Sequence, residues 1–305
     1  MAFSVKRLKL FFALSRTPHG LLDMATPAFG ALLWLGSFPP PHIIFLGLIT
    51  TFAGYTSVYA LNDIIDFKSD REKVNKGGLN GSGGDLDAVL VRHPMAQGLL
   101  SFREGLLWSI AWGLLAVIGA YLLNPVCLII FLTGCLLETI YCLMWRVSPF
   151  RTVVSGGVKT TGAIAAVFAV DPDPSPLFVT MLFLCLFLWE VGGQNVPNDW
   201  TDIEEDRRFG AKTVPVRYGI EWSARIMLVS LTAAVIMSGI LVYFSQTRFE
   251  IWFILAVLSL GSILLLLPCI RLFKNKDPKA AMTLFNKASY YPLALLVIVL
   301  IKIMI

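Results

Sequence analysis

Apolar runs of membrane-spanning length recur along this chain, and they constrain its fold more than any other feature. Nine are visible, at about 20–37, 42–61, 104–123, 125–145, 152–170, 175–196, 223–244, 249–270 and 286–304. Each approaches the ~20 residues a helix needs to cross the hydrocarbon core. Only 15% of the 305 residues are charged, against about a quarter in a soluble domain. The expectation is an all-α polytopic membrane protein, with nine transmembrane helices bundled around a central cavity. No long polar segment stands apart, so residues 1–305 read as one domain.

Lys and Arg set the orientation. With the N-terminus in the cytoplasm, all but Arg248 and Lys302 of the 25 Lys and Arg residues fall in inside segments. Such a bias is the positive-inside signature, and the odd number of spans then puts the C-terminus outside. Lys6, Arg7, Lys9 and Arg16 accompany a short, charge-interrupted apolar stretch. It reads as an interfacial helix, not a cleaved signal. The net charge of +5 is spread over several short loops, which argues against nucleic acid as a partner. Cys127, Cys135, Cys142, Cys185 and Cys269 form no C-x-x-C pair and read as apolar filler. His19, His42 and His93 are too scattered in sequence to signal a zinc site.

One acidic pattern occurs twice. Residues 62–70 read Asn62-Asp63-Ile64-Ile65-Asp66-Phe67-Lys68-Ser69-Asp70, and residues 198–206 read Asn198-Asp199-Trp200-Thr201-Asp202-Ile203-Glu204-Glu205-Asp206. Carboxylates at i, i+3 and i+7 share one face of a helix. Each copy follows an apolar run, and both fall on the inside. Three carboxylates so placed repel one another and resist burial, so a cation belongs between them. The equal orientation after spans two and six suggests a parallel repeat, with halves at about 20–145 and 152–271 and a ninth helix at 286–304.

Basic residues trail both copies: Arg71 and Lys73 the first, Arg207, Arg208 and Lys212 the second. Acid followed by base suits a Mg²⁺–diphosphate, because Mg²⁺ is commonly shared between carboxylates and substrate phosphates and Lys or Arg takes the remaining oxygens. At the mouth of an apolar bundle, the implied substrate is an isoprenyl diphosphate. Metal and base would stabilise the departing diphosphate, and the allylic carbocation left behind must be shielded from water. Tyr55, Tyr59, Tyr141 and Trp145 are aromatic candidates to face that cation.

These residues resemble the UbiA-type intramembrane prenyltransferases. Asn62 through Asp70 fits that family's first motif. Asp199, Asp202 and Asp206, with Arg207, Gly210, Lys212-Thr213-Val214-Pro215-Val216-Arg217 and Gly219, fit the second motif and its continuation. The resemblance implies Mg²⁺-dependent prenyl transfer to an aromatic or other lipophilic acceptor. It assigns Asp63, Asp66, Asp70, Asp199, Asp202 and Asp206 to the metal–diphosphate, with Asn62 and Asn198 orienting the head group. Arg71, Lys73, Arg207 and Lys212 become diphosphate ligands. Tyr141 and Arg146 match the Tyr-plus-basic feature after the fourth span. The chain departs from the family pattern in three places: a Gly-rich insertion at 77–91, His93 between Arg92 and Pro94, and Glu205 where glycine is common.

Two other readings share part of this pattern. A terpene cyclase would use the same donor site without an acceptor. A cation-coupled transporter would explain membrane carboxylates and a repeat, but not the trailing basic residues. A CDP-alcohol phosphotransferase is set aside, because its D-G-x-x-A-R opening is absent.

Overall fold

The computed structural model describes residues 5–78 and 86–305, and every extended regular element among them is helical. In chain order these are α1 (Val5–Leu14), α2 (Thr17–Asp23), α3 (Ala25–Leu35), α4 (Pro41–Ile65), α5 (Phe67–Asn75), α6 (Phe102–Leu123), α7 (Pro125–Leu143), α8 (Arg151–Val170), α9 (Pro176–Trp189), α10 (Val196–Thr201), α11 (Ile203–Phe209), α12 (Val214–Tyr243), α13 (Ile251–Gly261), α14 (Leu267–Asn275), α15 (Pro278–Ser289) and α16 (Tyr291–Met304). A short 3₁₀ turn covers Leu86–Val89. Residues 79–85 of the Gly-rich insertion lie outside the described residues.

Among the described residues, eight helical segments are long and apolar enough to cross a membrane: Pro41–Ile65, Phe102–Leu123, Pro125–Leu143, Arg151–Val170, Pro176–Thr201, Val214–Tyr243, Ile251–Asn275 and Pro278–Met304. They correspond to eight of the nine expected runs. The first run is instead divided at Met24 into α2 and α3, neither of which is long enough to span alone. Several helices outrun their apolar sequences at the same end of the bundle, notably α4, α12 and the segment reaching Thr201. Hydropathy reads the thickness of hydrocarbon, whereas the helix continues for as long as its backbone is satisfied.

Local chemistry sets the helix ends. Ser101 and Glu104 form a reciprocal capping box at the start of α6. Asn124 and Asp277 accept backbone N–H bonds ahead of Pro125 and Pro278, which supply first-turn residues needing no donor. Two spans contain a π-turn just before a proline. Glu190–Asn195 precedes Pro197, and Ser262–Leu266 precedes Pro268. The missing proline N–H leaves a carbonyl free, and the wider turn accommodates it.

The main core joins α3, α9, α12, α14, α15 and α16, with Trp189, Trp200, Tyr291, Phe29 and Phe178 among its largest fully buried side chains. Packing is uneven. The spanning window of Pro176–Thr201 is 56% buried, but those of α4, α6 and α7 only 22%, 22% and 17%. These lightly packed helices border an apolar cavity. α1 lies at the end that carries the acidic motifs, where Phe11 and Leu14 pack with Met95 and Leu100 and Arg7 pairs with Glu104. All five cysteines are free thiols, and all but Cys135 are buried.

Candidate active site

An apolar and a polar cavity of the bundle share a wall. The polar one, about 250 Å³, is lined by all eight Asn and Asp residues of the two motifs. The apolar one, about 330 Å³, runs between α3, α4, α7 and α8. Tyr59, Glu138 and Lys159 line both, so the floor of the polar chamber is the inner end of the apolar cavity. At the far end Phe38 and Leu48, each about half exposed at 51% and 53%, line the apolar cavity and open it toward lipid.

The two motifs fold alike. α4 ends at Asp66, whose φ of −81° and ψ of 0° break the helix before α5. α10 ends at Asp202, with φ −108° and ψ 13°, before α11. In each copy the backbone bond nevertheless carries across the break: Asp70 N–H donates to the Asp66 carbonyl at 2.9 Å, and Asp206 N–H to the Asp202 carbonyl at 2.8 Å. The middle aspartate is thus a hinge between one helix and the short helix that follows it, and the three carboxylates still line one wall.

The protein's own cations hold the outer carboxylates. Arg16 donates to Asn62 Oδ1 at 3.1 Å and to Asp63 Oδ1 at 3.2 Å. His93 Nδ1 lies 3.3 Å from Asp63 and 3.0 Å from Asp70. The residue that interrupts the family's Arg-Pro pair therefore sits between two motif carboxylates. Its φ of +47° is rare for a non-glycine residue. Lys73 lies 3.8 Å from both Asp70 and Glu205, over the Trp145 ring at 4.3 Å. In the second motif, Arg151 is 3.9 Å from Asp199 and 4.1 Å from the Tyr141 ring centroid. Asp206 accepts from Trp145 Nε1 at 3.3 Å and from Thr213 Oγ1 at 3.0 Å.

Charge balance differs among the motif members outside the spans. Burial opposes the charge on His93, but Asp63 and Asp70 outweigh it and hold its pKa up to about 9. Burial, and then the Asp70 carboxylate, push Asp66 up to about 6. Burial and Asp206 do the same to Asp202, also to about 6. The two hinge aspartates are therefore short of positive charge.

At the shared floor, Lys159 Nζ pairs with Asp23 and donates to Tyr59 Oη at 2.9 Å, while Tyr59 Oη also donates to Asp23. Glu138 accepts from Asn62 Nδ2 at 2.6 Å. Ser155 Oγ donates to Glu190 Oε1 at 2.7 Å, and Thr152 Oγ1 to Asn195 Oδ1 at 2.7 Å. Asn195 Nδ2 donates to Tyr141 Oη at 3.1 Å.

The structure brings together Asn62, Asp63, Asp66, Asp70, Asn198, Asp199, Asp202, Asp206, Lys73, Tyr59 and Tyr141. It leaves Arg71, Arg207, Lys212 and Arg146 outside the chamber lining, all four exposed. The helical period explains this: Lys73 is i+3 from Asp70, whereas Arg71 and Arg207 each sit one residue past an aspartate, turned ~100° away. Arg146 pairs with Glu72 at 2.8 Å. Lys212 contributes its backbone N–H to the Trp145 carbonyl at 2.8 Å. Tyr55 lines only the apolar cavity, bonded to Thr26 at 3.0 Å and stacked on Tyr59. Sequence reasoning missed Arg16, Asp23, His93, Glu138, Arg151, Lys159 and Glu190. For Glu138, Lys159 and Glu190 the signal was present: an ionisable residue inside an apolar run marks function by default.

Such a fold and site define an integral polytopic membrane enzyme for a substrate that is ionic at one end and lipophilic at the other. The model of the UbiA prenyltransferase family matches residues 24–293, and the chain belongs to that family. It is accordingly a prenyltransferase, as the paired motifs indicate. The digeranylgeranylglyceryl phosphate synthase of Thermococcus sibiricus is 28% identical over 231 residues, 76% of each chain. The 4-hydroxybenzoate octaprenyltransferase of Nitrosomonas eutropha is 26% identical over 285 residues, 91% of each. A UbiA homologue from Archaeoglobus fulgidus, solved with DMAPP and Mg²⁺, shares the fold with a TM-score of 0.70 at 18% identity, over 97% of this chain and 99% of that one.

Proposed function

We propose that the polar chamber holds the diphosphate of a prenyl diphosphate with Mg²⁺, that the apolar cavity holds its hydrocarbon chain, and that the prenyl group passes to a lipophilic acceptor at the shared floor. One observation carries this reading. All eight motif residues line a chamber whose floor, Tyr59, Glu138 and Lys159, is also the end of an apolar cavity.

The residues fit a divalent metal. Ligand atoms of Asp63, Asp70 and His93 lie within 4.8 Å of one another, and Asp199 Oδ2 is buried without a hydrogen-bond partner. Asp63, Asp66, Asp70, Asp199, Asp202 and Asp206 would hold it. Hard carboxylate oxygens are the donor set Mg²⁺ favours, and the bound ion supplies neutralising charge for the leaving diphosphate. Lys73, Arg16 and Arg151 stand at the same chamber to bind remaining phosphate oxygens. Tyr59 faces the boundary where an allylic cation would form. Its hydroxyl accepts from Lys159 Nζ at 2.9 Å, which leaves the electron-rich ring face for the cation. The apolar walls keep water from that carbon. The test is diphosphate release by the purified protein from a prenyl diphosphate, required to depend on Mg²⁺. No release with donors of any length would overturn the reading.

Chain length follows from α4, which runs along the apolar cavity. Gly47 lines it, and a Cβ built there meets nothing within 4 Å. It stands twelve residues from Tyr59, about 18 Å along the helix. Gly47→Phe should therefore fill the distant part of the cavity and lower kcat/KM for a long donor relative to a short one by roughly 10-fold or more, the loss of one or two buried methylenes' worth of binding. Measuring geranylgeranyl against dimethylallyl diphosphate checks it, and an unchanged ratio would place the chain elsewhere.

The same reading includes nine crossings, with α2 and α3 forming the first, and the chamber on the cytoplasmic side. Two observations support it: helical backbone is interrupted only at Met24 over residues 17–35, and the basic residues cluster at the chamber end. The matching breaks at Asp66 and Asp202 support two equivalent halves. A cysteine at Arg248 should react with an impermeant maleimide on intact cells, and one at Arg208 only after permeabilisation. The reverse pattern would invert the topology.

A further inference from the structure

The two acidic motifs are alike in spacing but not in what faces them. Beside the second stands Arg151, 3.9 Å from Asp199, and a guanidinium has no lone pair to offer a metal. Beside the first, Arg16 is joined by His93, and an imidazole nitrogen can be a metal ligand as well as a cation. Its Nδ1 lies 3.3 Å from Asp63 Oδ1 and 3.0 Å from Asp70 Oδ2, and those two carboxylate side chains are only 4% and 7% exposed.

These contacts are not hydrogen bonds. Nδ1 is buried and has no hydrogen-bond partner, although two oxygens lie within reach. A nitrogen close to two carboxylates and bonded to neither is placed for an ion that all three share. The spacing suits one, because neighbouring ligands at right angles on an ion with bonds of about 2.1 Å sit about 3 Å apart. All three residues line the chamber, so such an ion would also face a bound diphosphate.

The loop fixes His93 in this place. Its carbonyl accepts from Gln97 N–H at 3.1 Å, and the Pro94 carbonyl accepts from Leu99 N–H at 2.9 Å. Two residues on, Met95 is buried in a cluster with Phe11, Leu14, Ala60 and Leu100. Together these contacts maintain the φ of +47°, which a non-glycine residue adopts only at a cost. A ligand held in this way is already organised for binding.

Resting on the metal–diphosphate reading above, we infer that His93 is a metal ligand, and that Asp63, Asp70 and His93 form a nitrogen–oxygen centre for a first-row divalent transition metal in preference to Mg²⁺. Mg²⁺ favours oxygen ligands throughout, whereas an imidazole raises affinity for the transition metals. Asp199, Asp202 and Asp206 form an all-oxygen centre and keep the preference for Mg²⁺. At the first centre the ion takes the place of the ring proton between Asp63 and Asp70, and that proton leaves to water. Two motifs of one spacing thus hold unlike ions.

The probe is Mn²⁺, the weakest binder of the transition-metal series and so the most demanding case. The purified protein receives less than one equivalent, together with a non-hydrolysable prenyl diphosphate analogue, and pulsed EPR reads the nuclei coupled to the ion. The wild type should show a nitrogen coupling that changes when histidine alone carries the heavy nitrogen isotope, a result that needs no variant. His93→Asn should lose the coupling, since asparagine tolerates a positive φ but has no ring nitrogen. The excess of Mg²⁺ needed to displace Mn²⁺ should fall about 10-fold or more in His93→Asn, because even groups that only support a ligand are worth 10–100-fold. Bound Mn²⁺ without nitrogen coupling, or an unchanged displacement ratio in His93→Asn, would overturn the inference and leave the metal–diphosphate reading standing. Binding of neither Mn²⁺ nor Mg²⁺, with or without the analogue, would defeat that reading and the inference with it.

Discussion

Asp66→Ala and Asp202→Ala are each expected to reduce prenyl diphosphate turnover by more than about 100-fold. Partners one shell removed from a metal are typically worth 10–100-fold in affinity or activity, and a direct ligand should exceed them. The hinge aspartates are the sharpest choice among the six. Asp63 has Arg16 and His93 beside it, and Asp70 has His93 and Lys73. Asp66 and Asp202 instead have pKa values pushed up to about 6 by burial and neighbouring carboxylates, so each gains most from an added cation. Calorimetric titration with Mg²⁺ in the presence of a non-hydrolysable prenyl diphosphate analogue should show the same loss. Wild-type turnover in both variants would remove the metal–diphosphate assignment.

The largest effect on stability should come from Asp23→Ala. Asp23 and Lys159 pair at the chamber floor with side chains only 6% and 17% exposed, and Tyr59 donates to the same carboxylate. Removing one member of a buried pair costs about 3–5 kcal/mol, because the partner's charge remains in a poorly solvating site. The lower end of that range is expected here, since Lys159 also borders the polar chamber and can gain some hydration. The Asp23→Leu, Lys159→Met double variant should recover most of the loss, because well-packed apolar residues replace a buried pair at little cost. Unfolding in detergent, followed by tryptophan fluorescence, measures both. A neutral single variant would mean that water already solvates Lys159.

Much of the fold was legible because lipid is an undemanding reader. Eight runs became eight spanning segments, since a hydrophobic stretch of sufficient length has no other way to satisfy its backbone in hydrocarbon. The run at 20–37 behaved differently. It is divided at Met24, next to Asp23, and a mean over a window cannot register that one charged residue has a buried partner on another helix. The acidic motifs were legible for a similar reason, as spacing on one helix is a local property. Even so, the breaks at Asp66 and Asp202 are visible only in the backbone.

The basic partners show where local reasoning ends. Proximity in sequence suggested Arg71, Lys73, Arg207 and Lys212; of these only Lys73 lines the chamber, and it is joined by Arg16 and Arg151, which come from segments 47 and 48 residues away from their partner aspartates. A residue adjacent to a motif aspartate points off its face, and a residue far along the chain can be delivered to it by a crossing helix. His93 illustrates the same point. In sequence it is an interruption of Arg-Pro; in space it is wedged between Asp63 and Asp70.

By itself, the sequence determined the membrane-spanning helices, their shared polar end and the paired carboxylates, because each depends on hydropathy or on a period within one helix. Only the tertiary structure decided which cations meet those carboxylates, and that the ionic chamber and the apolar cavity share the floor of Tyr59, Glu138 and Lys159. Those properties arise where separate helices pack, and no pattern along one helix records what another brings to it.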